Sequence, residues 1–456
     1  MDRFILQHLR QWRARASRKP LVIRGARQVG KTYAVRLFAA ESFERLLEIN
    51  LERHPDVAAH FASNDPRRTL GLLELQFGMR IEPGSTLLFL DEIQAAPSIL
   101  ASLRYFCEEL PALHIVAAGS LLELALAEPS FSVPVGRLEY AFLGPMQFEE
   151  FLLAAGKSRL AEFLAGLTMN DTVPPPIHRQ LLELLRTFLV TGGMPEAVQT
   201  FLTTGSWREC EAVKQGLIAT LQDDFNKYSG RFPGQRLQLL LKQVPRLLGD
   251  KFQYVQVDRA ARAADLARGL RLLTQARVVY PVHQTSASGI PLGATVNERI
   301  FKVLFLDVGL ATTFLGLNLL DFERAADIML VNRGAVCEQY VGQHLLWSLP
   351  WYQPPELHYW LREKRTSAAE VDYVIAEGQV IVPVEVKAGK GGTLRSLHLF
   401  LREKGSTLGL RLNSDPPSLL NAQTALPDGD NKAYQLLSLP LYLAGQCRRL
   451  LREHLG

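Results

Sequence analysis

The sequence has few of the residue patterns that bind transition metals or cross-link a chain. Only four of its 456 residues are cysteine, each lies more than 100 residues from the next, and no CxxC pair occurs. This spacing argues against a zinc ribbon or a disulfide framework and favours a reducing compartment. The ten histidines include no HExxH motif, so a histidine-based metal site is not indicated.

Membrane and targeting signals are also lacking. No apolar run reaches the roughly 18 residues that a membrane span needs. The first 20 residues alternate apolar and basic side chains and contain no signal-peptide core. We interpret them as a short amphipathic helix, with binding to a membrane surface as the less favoured alternative. We therefore expect a cytoplasmic protein that makes no membrane contact.

The composition is that of a folded protein with a small excess of positive charge. Hydrophobic residues make up 47% of the chain and charged residues 21%, which excludes a wholly disordered chain. There are 51 basic and 46 acidic residues, giving a formal charge of +5 and an isoelectric point near 9.0. This balance is compatible with an anionic partner such as DNA.

The pattern along the chain predicts an α/β protein with several modules. Residues 1–173 contain short apolar runs that alternate with helical patterns, which indicates a parallel α/β domain. Three prolines at 174–176 predict a linker. The pattern is helical over 177–235, and helices followed by a hairpin over 236–310 suggest a winged-helix module. A helix and three strands within 325–456 form the last predicted domain.

A phosphate-binding loop is the strongest motif. Residues 25–32 match GxxxxGK[ST] at every fixed position, after an apolar strand and before a helical pattern. The glycines let the backbone N–H groups surround phosphate oxygens at a helix N-terminus. Lys31 is expected to reach the β- and γ-phosphates, and Thr32 is expected to ligate Mg²⁺. The predicted binding residues are Gly25, Ala26, Arg27, Gln28, Val29, Gly30, Lys31 and Thr32.

A second apolar strand ends in paired carboxylates. The run from Leu87 to Leu90 is followed by Asp91 and Glu92. Asp91 is expected to hold Mg²⁺ through water, and Glu92 to accept a proton from the attacking water. Alone, such a pair is more often a solvated strand end, but together with the phosphate loop it predicts nucleoside triphosphate hydrolysis.

Two further polar residues are candidates for the same site. Ser120 ends the next apolar strand and either senses the γ-phosphate or simply forms the strand-to-helix turn. Arg137 is a candidate arginine finger supplied to a neighbouring subunit, a role that requires a homo-oligomer.

A hairpin near the C-terminus carries a second set of carboxylates. A two-residue turn at 378–379 would place Asp372 opposite Glu385 and Glu370 opposite Lys387. A divalent cation between Asp372 and Glu385 would relieve their repulsion, and Lys387 would stabilise developing phosphate charge. The alternatives are a surface hairpin with an ordinary ion pair between Glu370 and Lys387, or a nuclease-like fold used only for binding. Glu338 on the preceding helix is a further candidate ligand.

The predicted winged helix has a basic helix. Arg262, Arg268 and Arg271 lie on or near it, beside a leucine stripe. Such a helix would suit the phosphates of duplex DNA. The alternative is a packing module whose arginines are solvated.

With these residues in hand, the chain resembles a prokaryotic family of AAA-type ATPases that carries a C-terminal domain of unknown function. The resemblance covers nearly the whole chain. It rests on GARQVGKT, LLFLDEIQ, GRLEYAFLGPMQFEEF, GGMPEA at 192–197, FLDVGL at 305–310 and the closing EVDYVI and VPVEVK.

The C-terminal part in turn resembles PD-(D/E)xK nucleases of the archaeal Holliday junction resolvase type. That resemblance implies metal binding by Glu338, Asp372 and Glu385, with Lys387 as the catalytic lysine. Val371 stands where a proline is expected, a departure that this variant tolerates.

Together these observations predict an ATP- and Mg²⁺-dependent ATPase that acts on branched or duplex DNA, with a metal-dependent nuclease-like domain. One alternative is a nucleotide-gated regulatory switch whose nuclease-like domain binds DNA or protein without cutting. Another is a structural protein that clusters DNA whether or not it binds nucleotide.

Overall fold

The fold is described here from a computed structural model over residues 1–123, 136–228, 233–317, 333–363, 368–389, 393–424 and 432–456. These residues divide into two compact units. Unit 1 comprises Met1–Pro145, Gln275–Val278 and Pro350–Pro354, and unit 2 comprises Met146–Thr274, Val279–Leu349 and Pro355–Gly456. None of the described helices has both the length and the apolar character needed to span a bilayer.

Unit 1 is built around a five-stranded parallel sheet, as the alternating sequence pattern predicts. The strands are β1 (Leu21–Arg24), β2 (Arg45–Asn50), β3 (Thr86–Asp91), β4 (His114–Gly119) and β5 (Glu139–Phe142). They lie in the order β2-β3-β4-β1-β5, and each neighbouring pair is parallel. The strands β3 and β4 are buried along their whole length, as expected for a sheet covered on both faces.

The helices of unit 1 include an N-terminal amphipathic helix, which confirms the prediction for the first residues. They are α1 (Ile5–Ala14), α2 (Lys31–Ser42), α3 (Ala58–Phe61), α4 (Pro66–Phe77) and α5 (Ile99–Glu109), with short 3₁₀ helices at Pro55–Val57 and Ile93–Ala95. The apolar stripe of α1 is buried at Ile5, Leu6, Leu9 and Trp12.

Unit 2 contains helices before, between and after its strands. They are α6 (Phe148–Ala154), α7 (Ser158–Gly166), α8 (Pro175–Thr191), α9 (Pro195–Thr204), α10 (Trp207–Tyr228), α11 (Gly234–Gln243), α12 (Tyr254–Val257), α13 (Ala263–Gln275), α14 (Val308–Phe314), α15 (Arg333–Trp347), α16 (Arg395–Lys404) and α17 (Cys447–Leu455). Short 3₁₀ helices occur at Val244–Leu247, Leu292–Thr295 and Leu441–Gln446.

Unit 2 also contains an eight-stranded mixed sheet in the order β12-β13-β11-β10-β9-β8-β6-β7. Its strands are β6 (Val279–Thr285), β7 (Val296–Phe305), β8 (His358–Arg362), β9 (Ala369–Glu377), β10 (Val380–Val386), β11 (Leu408–Asn413), β12 (Ser418–Gln423) and β13 (Ala433–Pro440). The three strands predicted after α15 are β8, β9 and β10.

Two predicted boundaries do not follow these units. Residues 146–173 belong to unit 2, where the ring of Phe148 packs 5.8 Å from that of Phe188. The prolines at 174–176 do not form a linker, because Pro175 opens α8, a position at which proline costs no hydrogen bond.

The hairpin predicted as the wing of a winged helix is instead part of the large sheet. β6 and β7 pair antiparallel, and β6 then pairs parallel with β8. The sheet therefore crosses the predicted boundary between 236–310 and 325–456. The predicted start of the last domain at 325 lies outside the described residues.

Two glycines of unit 2 allow a close backbone contact between α8 and α14. A Cβ on Gly192 would lie 2.8 Å from Cα of Gly309, and a Cβ on Gly309 would lie 2.6 Å from Cα of Gly192. Gly192 also has a φ of +72°, a conformation that favours glycine. The motifs at 192–197 and 305–310 therefore meet in the core of unit 2.

Candidate functional site

The first candidate site lies in unit 1 where β1 ends and α2 begins. The loop between them needs glycine at two positions. A Cβ on Gly25 would come within 2.2 Å of the Leu143 carbonyl oxygen, and Gly30 has a φ of +90° immediately before α2. Gln28 also adopts a positive φ, of +63°. The loop backbone thus curls onto the N-terminus of α2, which is the arrangement that binds phosphate.

Lys31 is held against this loop. Its Nζ donates to the carbonyl oxygens of Ala26 at 2.8 Å and Gly25 at 3.1 Å. Burial lowers the pKa of Lys31 to about 8, although the carboxylates of Glu92 and Asp91 oppose this shift. The side chain therefore remains predominantly cationic at neutral pH, as a phosphate ligand must be.

Thr32 and Asp91 are brought together because α2 starts, and β3 ends, at the same edge of the sheet. Thr32 Oγ1 donates to Asp91 Oδ2 at 3.0 Å. Burial and the neighbouring Glu92 charge raise the pKa of Asp91 to about 6. A hydroxyl and a buried carboxylate this close are the hard oxygen ligands that Mg²⁺ prefers, so these two residues fit the predicted ion.

Glu92 is held by a residue that the sequence analysis does not identify. Its backbone has a φ of +53°, and its Oε2 accepts a hydrogen bond of 2.6 Å from Nε2 of Gln94. The Gln94 side chain is buried beside β4, since a Cβ on Gly119 would lie 2.6 Å from its Oε1. Gln94 therefore links Glu92 to the end of β4.

Ser120 and Arg137 have very different surroundings. Ser120 is 1% exposed, and its Oγ has no hydrogen-bond partner within the described parts of the chain. Arg137 is an exposed side chain whose Nε donates to Glu108 Oε1 at 2.7 Å. The predicted roles of both residues at the phosphates remain predictions.

A compact ion cluster that the sequence did not predict lies near Lys31. Arg277 donates through Nε and Nη2 to Glu123 Oε1, at 2.8 and 2.6 Å, and Arg24 Nη1 lies 3.9 Å from the same oxygen. The Glu123 carboxylate is close enough to Lys31 to oppose the lowering of its pKa. Arg277 is 154 residues from Glu123 in sequence, so no local motif reveals the pair.

The second candidate site lies in unit 2 on the hairpin of β9 and β10. Its register is the predicted one, from Glu377 opposite Val380 to Tyr373 opposite Val384, and Gly378 has a φ of +58°. Beyond these pairs, Asp372 Oδ2 accepts a hydrogen bond of 2.7 Å from the Val386 amide. Asp372 therefore reaches across to β10, next to Glu385.

The expected opposition of Glu370 and Lys387 does not produce an ion pair. Lys387 Nζ instead donates to Glu385 Oε1 at 2.6 Å, and Glu370 contacts Lys302. Burial and the Asp372 charge raise the pKa of Glu385 to about 7. Its second oxygen, Oε2, is buried and has no hydrogen-bond partner in the part of the chain that the structure describes.

Lys302 on β7 is the residue of this site that sequence reasoning missed. Its side chain is 3% exposed, and its Nζ lies 2.8 Å from Glu338 Oε1 and also contacts Glu370 Oε1. Burial opposes its charge, but Glu338, Glu370 and Asp372 outweigh burial and raise the pKa of Lys302. A buried lysine in this environment remains an ammonium ion.

These contacts do not fit the predicted metal site. Glu338 Oε1 accepts a hydrogen bond of 2.8 Å from Lys302, so an ammonium group stands where a metal ion was predicted. Across the described ranges, no group of three or more histidine, cysteine, aspartate or glutamate side chains is arranged to hold a metal ion. No cleavage step is therefore derived from Asp372, Glu385 and Lys387.

Comparison with known families matches three stretches of the chain. Residues 17–152 match an AAA domain (AAA_14), residues 182–321 a domain of unknown function (DUF8612), and residues 333–436 another domain of unknown function (DUF4143). Together with the loop geometry, the first match supports a P-loop AAA ATPase domain in this part of the chain, and with it ATP hydrolysis. No curated protein matches the chain.

Several solved structures are distantly similar. The Walker-type ATPase PABY2304 of Pyrococcus abyssi is 16% identical over 68% of this chain and 94% of its own, with a TM-score of 0.42. The ORC2 protein of Aeropyrum pernix, solved as ADPNP–ADP complexes, is 13% identical over 69% and 94%, with a TM-score of 0.34. Drosophila ORC bound to DNA is 16% identical over 68% and 84%, with a TM-score of 0.24.

Proposed function

We propose that this protein is a Mg²⁺-dependent ATPase whose nucleotide cycle regulates the binding of DNA by unit 2, and that unit 2 does not cut the DNA. The observation that carries the nucleotide part is the 3.0 Å contact between Thr32 and Asp91 beside the phosphate loop. The family match supports the same activity.

Each residue of the site has a proposed role in hydrolysis. The backbone amides of residues 25–32 bind phosphate oxygens, and Lys31 neutralises charge on the β- and γ-phosphates. Thr32 and Asp91 hold Mg²⁺, which when bound neutralises charge that develops on the phosphate oxygens. Glu92 accepts the proton of the attacking water, and the buried hydroxyl of Ser120 orients the γ-phosphate or the water.

Arg137 is proposed to act in the site of a neighbouring copy, which makes the active form a homo-oligomer. Its side chain is 46% exposed and forms an ion pair with Glu108. Solvent screens an exposed pair of this kind, so Arg137 is readily redirected to a phosphate.

The DNA-binding part of the proposal is supported by the charge of residues 236–275. This segment has eight basic and three acidic residues, so its formal charge equals the +5 of the whole chain. Four of its arginines, on or just before α13, are exposed: Arg259, Arg262, Arg268 and Arg271. Such a cluster suits a phosphate backbone, which accounts for much of the affinity of proteins for DNA.

Hydrolysis is tested with Glu92→Gln, which keeps the shape of the side chain but removes the proton acceptor. Phosphate release should fall by about 100-fold or more while ATP affinity is retained. The matched control is Glu109→Gln, a change at an exposed residue of α5. Undiminished hydrolysis in Glu92→Gln would reject the assignment of Glu92.

DNA binding is tested by fluorescence anisotropy with single-stranded, duplex and four-way-junction DNA, at several salt concentrations and in the ATP- and ADP-bound states. The double variant Arg262→Glu/Arg271→Glu should weaken binding about tenfold and flatten its salt dependence. Arg67→Glu/Arg68→Glu makes the same charge change on exposed residues of α4 and should have no such effect. No binding by the wild type at about 0.15 M salt would reject this part.

The non-cutting role is supported by Lys302, which contacts the predicted metal ligand Glu338 and also Glu370, two residues before Asp372 on β9. The test incubates the same DNA panel with Mg²⁺ or Mn²⁺, with and without ATP, and we expect intact DNA in every reaction. Cleavage that disappears in Glu385→Gln would instead assign Asp372, Glu385 and Lys387 to a nuclease.

A further inference from the structure

We propose that the ammonium group of Lys302 is the built-in cation of the carboxylate cluster formed by Glu338, Glu370, Asp372 and Glu385, and that it replaces a divalent metal ion there. This inference deepens the non-cutting role proposed for unit 2. Its failure would leave the proposals on ATP hydrolysis and DNA binding untouched.

Lys302 is almost completely removed from solvent. Only 3% of its side chain is exposed, and a buried ammonium is stable only when anions surround it. The partners come from two different elements, Glu338 from α15 and Glu370 from β9. The ring of Tyr359 lies 5.2 Å from Nζ and adds a cation–π contact.

Glu338 is already engaged by the Lys302 ammonium group. Its Oε1 is 2.8 Å from Lys302 Nζ. Its Oε2 lies near Gly249, since a Cβ added to that glycine would be 3.1 Å from the oxygen. A Mg²⁺ ion requires octahedral coordination at 2.0–2.1 Å and usually keeps several waters, so Glu338 could join such a shell only if Lys302 moved away.

Two further carboxylate oxygens of the cluster already accept hydrogen bonds. Asp372 Oδ2 accepts from the Val386 amide, and Glu385 Oε1 accepts from Lys387. Glu385 Oε2 is the buried carboxylate oxygen of the cluster without a hydrogen-bond partner in the described residues. A single such oxygen beside two ammonium groups is a poor site for a divalent cation, because like charges repel strongly at a buried position.

Without the Lys302 charge, the cluster would become a site for a divalent cation. Removing the Lys302 charge would leave Glu338, Glu370 and Asp372 uncompensated, and together with Glu385 they offer the oxygen ligands that Mg²⁺, Mn²⁺ and Ca²⁺ prefer. The variant Lys302→Met, which keeps the length and apolar stem of the side chain, should therefore create a divalent cation site that the wild type does not have.

The experiment is a titration of the nucleotide-free full-length chain with Mn²⁺. Binding is measured by calorimetry and by electron paramagnetic resonance. All variants carry Asp91→Asn, which removes the metal ligand of the ATPase site. Lys302→Met should bind one additional Mn²⁺ per chain, about 100-fold or more tighter than the parent. Lys302→Arg keeps the charge and should bind none, and Lys302→Met/Asp372→Asn should lose the gained site.

A second variant covers the case in which Lys302→Met does not fold. Lys302→Met/Glu370→Gln removes one charge of each sign, leaves three carboxylates, and is also expected to gain one Mn²⁺. The proposal is overturned if a folded Lys302 variant gains no ion. It is equally overturned if the parent itself binds Mn²⁺ at a site that Asp372→Asn removes.

Discussion

The amide nitrogen of Gly193 lies 2.7 Å from Oδ2 of Asp307, and this hydrogen bond joins two motifs that are 114 residues apart in sequence. The other oxygen of Asp307 accepts from the Leu310 amide at 3.0 Å and caps α14. Asp307 is fully buried, and burial raises its pKa. The motifs at 192–197 and 305–310 thus have a structural role in unit 2 that is sufficient to explain both.

Asp307→Asn should destabilise the protein. An amide NH₂ group would replace one carboxylate oxygen and face an N–H donor, leaving a buried donor without an acceptor. We expect the free energy of unfolding in urea to fall by about 2–4 kcal/mol. Asp223→Asn, at an exposed position of α10, is the control and should change it by about 0.5 kcal/mol or less. Equal stability of the two variants would contradict a structural role for Asp307.

Local motifs account for the parts of the molecule that the sequence predicted well. The phosphate loop depends on residues within eight positions, and the β9–β10 register depends on one turn, so spacing alone identifies both. Lys302 and Arg277 were missed for the opposite reason. Their partners lie 36 and 154 residues away, and only the folded chain brings them together.

The winged-helix prediction missed a different kind of long-range contact, the pairing of the hairpin with another strand. The alternation in 279–305 correctly indicates a hairpin, but it does not reveal which edge the hairpin pairs with. β6 adds to β8, a strand that begins 73 residues after β6 ends. Edge pairing of this kind is specified by backbone groups and packing rather than by a local sequence pattern. The local pattern therefore led to the prediction that the hairpin belongs to a separate module.

Gln94 is expected to restrain Glu92. Its amide donates to Glu92 Oε2 at 2.6 Å, and this hydrogen bond must be weakened when that oxygen accepts a proton. Gln94→Ala should therefore raise the turnover of ATP about tenfold, within the 1.5–3 kcal/mol of a charged hydrogen bond, and leave ATP affinity unchanged.

A second variant tests the same contact from the other side. Gly119→Ala would place a Cβ 2.6 Å from Gln94 Oε1, so it should displace Gln94 and raise turnover in the same way. Phosphate release under saturating ATP is the measurement. If both variants are slower than the wild type, Gln94 positions Glu92 productively rather than restraining it.

Arg277 is expected to support nucleotide affinity by neutralising Glu123. Without Arg277, the cation that the structure describes beside the Glu123 carboxylate is Arg24, at 3.9 Å, and the Glu123 charge opposes the approach of phosphates to Lys31. Arg277→Ala should weaken ATP binding about fivefold in an equilibrium titration with a fluorescent nucleotide. Adding Glu123→Gln should restore the affinity, because it removes the uncompensated charge.

The control for this cycle is Arg36→Ala, which breaks an exposed ion pair with Glu48 on the same unit. It should leave ATP affinity unchanged, since exposed pairs are well screened. If the double variant Glu123→Gln/Arg277→Ala binds ATP as weakly as Arg277→Ala, the effect of Arg277 is not exerted through Glu123.

His344 should make unit 2 sensitive to acid. Its Nδ1 lies 2.9 Å from the Tyr340 carbonyl oxygen and donates to it, and its Nε2 accepts a hydrogen bond of 2.9 Å from the Phe148 amide. The ring is therefore neutral in the folded state, and burial lowers its pKa from 6.5 to about 4. Protonation would place a second N–H donor against the Phe148 amide.

Acid should lower the stability of the folded chain, because the pKa of His344 is lower in the folded chain than in the unfolded chain. Between pH 6.5 and about 4, the unfolded chain binds a proton at His344 that the folded chain does not, so stability is complete above pH 6.5 and falls as the pH is lowered through this window. The free energy of unfolding in urea should drop by about 2 kcal/mol from this group between pH 7 and pH 5. His344→Gln keeps an acceptor for the Phe148 amide and should reduce this drop in the free energy of unfolding by about 2 kcal/mol. The control is His60→Gln, at a solvent-accessible position in unit 1, which should leave the drop unchanged. The same pH dependence in wild type and His344→Gln would mean that His344 titrates normally in the folded chain, and the assignment of its neutral form would then be wrong.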